Sequence, residues 1–130
     1  MPTALETVHD FIAAFIAAWP SADATALGSF FSEDALYQNG PLESVRGRAA
    51  IESTFAQFME VGGEVDVEMI HMMAEGSIVM TERIDHLTRA DGMTASLPMM
   101  GVIEVRGGLV AAWRDYFDLS QFTSQILGES

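Results

Sequence analysis

The sequence predicts an α+β fold in which helices pack on one face of a curved, mostly antiparallel β-sheet. In the first 60 residues, apolar side chains recur three and four positions apart, as they do on one face of a helix. After Gly62 and Gly63, four long segments rich in β-forming residues follow one another, separated by short turns that contain glycine. Helices followed by a meander of strands favour an α+β domain. A sheet that curves can form a cone with a pocket inside.

The N-terminal half is predicted to contain three helices and one short strand. The first helix covers residues 3–19 and stops at Pro20, because proline has no N–H to continue a helix. A second, short helix is expected up to residue 31, and a short strand over residues 35–39. The third helix covers residues 48–60.

The C-terminal half is predicted to be a meander closed by one helix. Its strands are expected over residues 65–74, 77–89, 93–106 and 109–118, and the short closing helix over residues 120–127. The turns between the strands are Glu75-Gly76, Asp91-Gly92 and Gly107-Gly108. Tight hairpin turns need positive φ, which glycine adopts without strain, so these pairs indicate antiparallel neighbours.

Composition predicts one globular domain over residues 1–130 and excludes several classes of partner. The net charge is −13, from 19 acidic residues against six arginines and no lysine. Such a chain would be repelled by nucleic acid and by anionic membranes, so neither is expected as a partner. Without lysine there is no Schiff-base chemistry, and without cysteine there is no disulfide or thiolate nucleophile.

The apolar stretch over residues 11–19 is predicted to be a helix face rather than a signal peptide. The residues before it include Glu6, His9 and Asp10 and contain no lysine or arginine, whereas a signal peptide begins with a cationic region. The stretch is also too short to span a bilayer. A cytoplasmic location is therefore the default expectation.

No metal or organic cofactor is expected. His9 lies on the first predicted helix, far along the chain from His71 and His86. The side chain of His86 alternates away from that of Asp85. A catalytic metal usually needs three protein ligands that converge, and this pattern does not provide them.

Alternation along the predicted strands places polar and large apolar side chains on the same faces. Side chains two positions apart in a strand point the same way. Three pairs stand out on this basis: Arg83 with Asp85, Trp113 with Asp115, and Tyr37 with Asn39. The apolar residues predicted to line the same pocket are Leu87, Leu97, Met99 and Phe117. A solvent face would not need these apolar residues, and a pure core would not hold unpaired charges, so a walled pocket explains both.

Each pair alone has an ordinary structural explanation. Arg83 and Asp85 could form a cross-strand salt-bridge ladder, and Tyr37 and Asn39 could mark a turn at the end of a strand. A functional site is favoured because all the pairs fall on β-rich strands of one sheet. Two carboxylates that share one arginine resist full ionisation, so one of them can act as an acid while the other acts as a base.

Four short motifs, taken in this order, resemble those of a known family. They are Tyr37-Gln38-Asn39-Gly40, Glu82-Arg83-Ile84-Asp85, Gly101-Val102 and Trp113-Arg114-Asp115-Tyr116-Phe117-Asp118. With these motifs the sequence resembles the limonene-1,2-epoxide hydrolase family, within the folds similar to nuclear transport factor 2 (NTF2-like) and ketosteroid isomerase. The resemblance extends from the first predicted strand to the end of the sheet.

The resemblance implies a role for each polar residue of the site. Asp115 corresponds to the general base that takes a proton from water, and Tyr37 and Asn39 correspond to the groups that hold this water. Asp85 corresponds to the general acid that protonates the epoxide oxygen, and Arg83 to the bridge between the two carboxylates. The water would attack directly, without a covalent intermediate on the enzyme.

The resemblance also implies a substrate class and an assembly. Trp113 matches a family position beside the pocket and is expected to be part of its wall. The expected substrates are water and a small lipophilic epoxide, cyclic or terpene-like, and no cofactor is implied. Members of the family pair through the outer face of the sheet, so a homodimer is expected.

Two other functions remain compatible with the residues. An isomerase or cyclase of the same fold would use one aspartate as a base, with Tyr37 stabilising an oxyanion, and would give Arg83 no clear part. A non-catalytic binding module is also possible, since a fold does not determine a function. Labelled water separates hydrolysis from isomerisation, because only hydrolysis adds solvent oxygen to the product.

Overall fold

The structure, a computed structural model, describes residues 2–126 and shows four helices and six strands within them. The helices are α1 (Ala4–Ala18), α2 (Thr25–Gly28), α3 (Arg48–Met59) and α4 (Leu119–Ile126). The strands are β1 (Phe31–Asn39), β2 (Val45–Arg46), β3 (Glu64–Glu75), β4 (Ile78–Thr88), β5 (Thr94–Arg106) and β6 (Leu109–Tyr116). They form one sheet in the order β2-β1-β6-β5-β4-β3, in which only the β1–β6 pairing is parallel.

Helix α1 is fixed at both ends by hydrogen bonds that its sequence provides. At the N-terminus, Thr3 and Glu6 form a capping box, in which each side chain accepts a hydrogen bond from the other residue's backbone N–H. At the C-terminus, the Trp19 indole donates to the backbone oxygen of Gly62 over 3.0 Å. This bond ties the end of the helix to the loop before β3.

Within residues 2–126 no helix is long and apolar enough to span a membrane.

The prediction of a second helix up to residue 31 is wrong. Helix α2 ends at Gly28, and Phe31 begins β1, which is four residues longer than the predicted strand over residues 35–39. The backbone oxygen of Phe31 accepts two hydrogen bonds from the Arg48 guanidinium, and the Val110 N–H donates to the Phe30 oxygen over 2.7 Å. These tertiary contacts outweigh the local helical preference. The two-residue strand β2 was not predicted, because so short a segment carries no periodic signal.

The meander agrees with the sequence. Gly76, Gly92 and Gly107 all have positive φ, between 59° and 91°, as the predicted hairpin turns require. Strand β6 ends at Tyr116, earlier than the predicted residue 118. The closing helix is α4, which begins one residue before the predicted start; the predicted last position, residue 127, lies outside the described residues.

The α+β fold class is confirmed. The sheet is not closed, because β2 and β3 are edge strands. An aromatic cluster fills the space between the helices and the inner face of the sheet, with Phe11 4.8 Å from Trp113 and Phe55 5.2 Å from Tyr37 between ring centroids. Next to this cluster the inner face remains open as a cavity of about 360 Å³, lined by residues from five of the strands.

Candidate active site

The charged residues of the cavity lie on two strands that are separated by a third. Arg83 and Asp85 point inward from β4, and Asp115 points inward from β6. Between them runs β5, on which Gly101 pairs with Thr81 on one side and with Asp115 on the other. Because Gly101 has no side chain, the groups on the two outer strands can approach each other across β5.

Arg83 joins the two carboxylates. Its Nε donates to Asp85 Oδ1 over 2.9 Å, and its Nη2 donates to Asp115 Oδ2 over 2.7 Å. Nη2 also lies 3.4 Å from Asp85 Oδ2 and 2.8 Å from the Met99 sulfur. The remaining nitrogen, Nη1, donates to the Thr81 hydroxyl over 3.0 Å. All three guanidinium nitrogens thus have hydrogen-bond partners within the protein.

The two carboxylates have different surroundings. Asp115 accepts a second hydrogen bond, from the Trp113 indole to its Oδ1 over 2.9 Å, and its side chain is buried. Asp85 accepts its hydrogen bonds from Arg83, and its side chain remains 24% exposed. Each carboxylate thus accepts two hydrogen bonds, one on each oxygen, and Asp85 lies nearer to solvent.

The pKa values of Asp85 and Arg83 are both shifted inside the cavity. Burial raises the pKa of Asp85; the charge and hydrogen bond of the adjacent Arg83 oppose this rise, and the charge of Asp115 adds to it. Burial alone would lower the pKa of Arg83, but Asp115 and then Asp85 outweigh it, so the pKa of Arg83 is raised and the guanidinium stays charged. The protein therefore raises the pKa of the Asp85 carboxyl while the adjacent Arg83 stays charged.

Tyr37 and Asn39 enter the site from β1. Through the parallel pairing, Tyr37 lies beside Trp113 and Asn39 lies beside Asp115. The strand ends at Asn39, and the N–H of Gly40 donates to the backbone oxygen of Asp115 over 2.8 Å. Burial, followed by the charge of Asp115, raises the pKa of Tyr37 well above its usual value. The phenol therefore remains protonated and available as a hydrogen-bond donor.

The structure brings every residue predicted for the site into one cavity. They are Tyr37, Asn39, Arg83, Asp85, Leu87, Leu97, Met99, Trp113, Asp115 and Phe117. Trp113 was expected only to form part of the pocket wall. In the structure it also donates a hydrogen bond to Asp115. Phe117 packs against Gly40, where a Cβ atom would come within 2.5 Å of the phenyl ring.

The helical wall of the cavity was not predicted. The residues that form it are Phe11, Ile12 and Phe15 of α1, Trp19 directly after that helix, Phe55, Gln57 and Phe58 of α3, and Leu119 and Phe122 of α4. Their spacing of three and four marked the buried side of a helix, but the same spacing is found in an ordinary core. Thr81 was also missed, because a threonine in a strand is common and carries no chemical signal of its own.

Histidines take no part in the cavity. Among residues 2–126, no three side chains of His, Cys, Asp or Glu are placed to share a metal ion. His86 lies on the outer face of the sheet, where its ring nitrogens bond to Ser96 and Glu68. His71 bonds to Glu82 on the same face. The titratable groups of the cavity are therefore carboxylates, an arginine and a tyrosine.

Two carboxyl groups bridged by one buried arginine in an apolar cavity are an arrangement suited to acid–base chemistry, and here they stand on a ketosteroid isomerase-like fold. The sequence model of the limonene-1,2-epoxide hydrolase catalytic domain matches residues 4–127, and the chain belongs to this family. A curated relative, epoxide hydrolase EphG of Mycobacterium tuberculosis, is 30% identical over 117 residues, which are 89% of this chain and 76% of that protein.

Solved structures agree with this assignment. The LEH-like epoxide hydrolase of M. tuberculosis superimposes with a TM-score of 0.72 at 26% identity, covering 92% of this chain and 88% of that one. A Catenulispora acidiphila protein with a ketosteroid isomerase-like fold gives 0.75 at 24% identity, covering 88% and 90%. SalBIII, an epoxide hydrolase/cyclase-like enzyme of pyran ring formation in salinomycin, gives 0.71 at 18%, covering 87% and 92%. The last two similarities show the fold alone.

Proposed function

We propose that the protein adds water to a lipophilic epoxide and releases a vicinal diol, in one step and without a covalent intermediate. The observation that carries this proposal is the pair of carboxyl groups bridged by the buried Arg83 at the wall of an apolar cavity, with the pKa of Asp85 raised by burial. Membership of the family and the similarity to epoxide hydrolase of M. tuberculosis, in sequence and in structure, support the activity in general.

Asp85 is the general acid of the proposed reaction. Its raised pKa favours the protonated form that a general acid requires, and its partial exposure allows contact with the epoxide oxygen. As the ring opens, the carbon–oxygen bond breaks and its electron pair takes the proton from Asp85. Proton transfer from a positioned side chain contributes roughly 10²–10⁴-fold to a rate.

Asp115 is the general base, and Tyr37 and Asn39 hold the attacking water with it. Asn39 lies beside Asp115 in the paired strands, and the protonated phenol of Tyr37 is available to donate to the water oxygen. The water forms a bond to the epoxide carbon while Asp115 takes one of its protons. One turnover therefore leaves Asp115 protonated and Asp85 ionised, and exchange with solvent restores the starting state.

The substrate is proposed to be neutral and lipophilic, cyclic or terpene-like. The cavity wall consists mainly of aromatic and aliphatic side chains, which favour an apolar ligand. Arg83, the cation of the cavity, is already bonded to two carboxylates. An anionic substrate would find no free counter-charge there, and the net charge of −13 would repel it.

A homodimer, formed through the outer face of the sheet, is proposed as the working assembly. This face exposes large apolar side chains, among them Met73, Met80, Met100 and Tyr116. Exposed apolar residues on adjacent strands are typical of a surface that a partner covers. The single domain over residues 1–130 and the cytoplasmic location remain predictions.

A panel of epoxides in labelled water tests the reaction. Limonene-1,2-epoxide, cyclohexene oxide and a linear alkene oxide are incubated with the protein in water enriched in heavy oxygen. Hydrolysis gives a diol with one labelled oxygen. An unlabelled isomer or cyclic ether would instead favour an isomerase or cyclase. Ligand retention without turnover would favour a binding module.

A single turnover distinguishes direct attack from a covalent route. With the protein in excess over the epoxide, direct attack places labelled oxygen in the diol from the first turnover. An ester formed with Asp85 or Asp115 would give an unlabelled diol first and leave the label on the carboxylate. The latter result would contradict the one-step mechanism while leaving the overall activity intact.

A further inference from the structure

We infer that Thr81 is a positioning residue, whose hydroxyl holds the Arg83 guanidinium in the one orientation that reaches Asp85 and Asp115 together. The catalytic consequence of this inference rests on the proposed function. Its structural content, the orientation of Arg83, does not.

Thr81 lies two positions before Arg83 on β4, so both side chains point inward. It is among the most deeply buried residues of the chain, with 1% of its surface exposed, and it lies behind the cavity wall rather than in it. Valine would fill the same space without a polar atom. The hydroxyl has a specific contact, because it accepts the hydrogen bond from Arg83 Nη1 over 3.0 Å.

The guanidinium needs an acceptor on this side. Arginine presents its N–H groups in a rigid plane, and here Nε and Nη2 are directed at the two carboxylates. Without the Thr81 hydroxyl, the buried Nη1 would lose this partner, and the side chain would gain from turning toward another acceptor. A neutral acceptor also adds no charge, so one cation continues to serve two carboxylates.

Gly101 lies on β5, between β4 and β6, and its lack of a side chain leaves room for this arrangement. A Cβ atom at Gly101 would lie 2.6 Å from Asp115 Oδ1, 2.9 Å from Arg83 Nη1 and 3.0 Å from Thr81 Oγ1. Real Cβ atoms essentially never approach other atoms as closely as the first two distances. The base, the arginine and the threonine therefore converge on one point above β5, and each limits the movement of the others.

The test compares Thr81→Val, which keeps the shape, with Thr81→Ser, which keeps the hydroxyl. Thr7→Val is the matched control, since Thr7 is buried but bonds only within the region of its own helix. Diol formation is measured across pH, and the Asp85 carboxyl carbon is titrated by NMR, with Asp85→Asn assigning the signal. We expect Thr81→Val to lower kcat about tenfold or more with little change in KM. We also expect it to raise the apparent pKa of the Asp85 carboxyl, because a less firmly held guanidinium stabilises the carboxylate less.

The serine variant is expected to restore most of both properties, and Thr7→Val to resemble the wild type. An unchanged Asp85 titration in a folded Thr81→Val protein would overturn the inference. So would an equal loss in the serine and valine variants, which would indicate packing alone. If the wild type makes no diol, the proposed function fails, and the titration still decides whether Thr81 positions Arg83.

Discussion

Two arginine–carboxylate pairs lie almost back to back on β6 and differ in what they can do. On the outer face, Arg114 Nη1 meets Glu104 over 2.7 Å; on the inner face, Arg83 Nη2 meets Asp115 over the same 2.7 Å. The outer side chains are 25% and 37% exposed, against 5% and 7% for the inner ones. Solvent screens the outer pair, and the inner pair acts in a medium where charge and protonation are strongly coupled. The two pairs have the same nitrogen–oxygen distance, so burial is what distinguishes the inner pair from an ordinary surface ion pair.

The largest expected difference comes from replacing one carboxylate on each face of the sheet with the corresponding amide. Asp115→Asn is expected to lower the rate of diol formation by at least 10²-fold, because an amide cannot take the proton from water. Glu104→Gln, the matched change on the outer face, should leave the rate within about twofold and cost less than ~1 kcal/mol of stability. Initial rates and urea unfolding measure both variants. Equal losses from the two substitutions would mean that the inner pair is a structural ion pair only.

An intermediate effect is expected from filling the space above β5. Gly101→Ala forces a methyl group against the Asp115 carboxylate and the Arg83 guanidinium, so both stability and activity should fall. The cost of overpacking is typically about 1–3 kcal/mol, measurable as a lower midpoint of unfolding. Thr94→Ala changes an exposed position at the start of the same strand and serves as the control. A Gly101→Ala protein with full stability and rate would show that the three groups can separate without consequence.

The smallest effect is a dependence of stability on pH. The folded protein raises the pKa of Asp85 above its usual 3.8, so between these two pKa values it binds a proton more tightly than the unfolded chain does. Stability from this group is therefore fully present at low pH and is lost as pH rises through the folded pKa. The Asp85→Asn variant has no carboxyl group to ionise and does not lose this stability. Its free energy of unfolding relative to the wild type should therefore increase as pH rises from the unfolded to the folded pKa of Asp85. Urea unfolding at a series of pH values measures the difference. A relative stability that instead decreases with rising pH would mean that Arg83 holds Asp85 ionised, which would exclude it as the acid.

The strands were more predictable from the sequence than the helical wall. Alternation alone places Arg83, Asp85 and Asp115 on cavity-facing sides, because a strand has two faces and one of them must be buried. The helices offer no comparable rule. The half-buried Phe15 and the buried Phe55 lie side by side, and nothing in their spacing distinguishes a residue that fills the core from one that faces a ligand.

The order in which the strands pair could not be predicted from local sequence patterns either. The parallel pairing of β1 with β6 places Asn39 beside Asp115, and no short segment of the sequence encodes a contact between positions so far apart. The start of β1 at Phe31 depends on the same pairing, which is why the region reads as helix when it is taken alone. Resemblance to a family supplied this link, since it joins motifs across the chain that local physics leaves separate.

The parallel pairing of β1 with β6 has a consequence for the order in which the protein matures. The strands β3 to β6 follow one another through short turns, so their pairings close small loops, whereas β1 meets β6 only after nearly the whole chain is available. Contacts between distant segments are the slow ones in folding. During synthesis on a ribosome, Asn39 would leave the exit tunnel long before Asp115. The pairing that brings these two residues together, and with it the proposed water site, would therefore form late in folding.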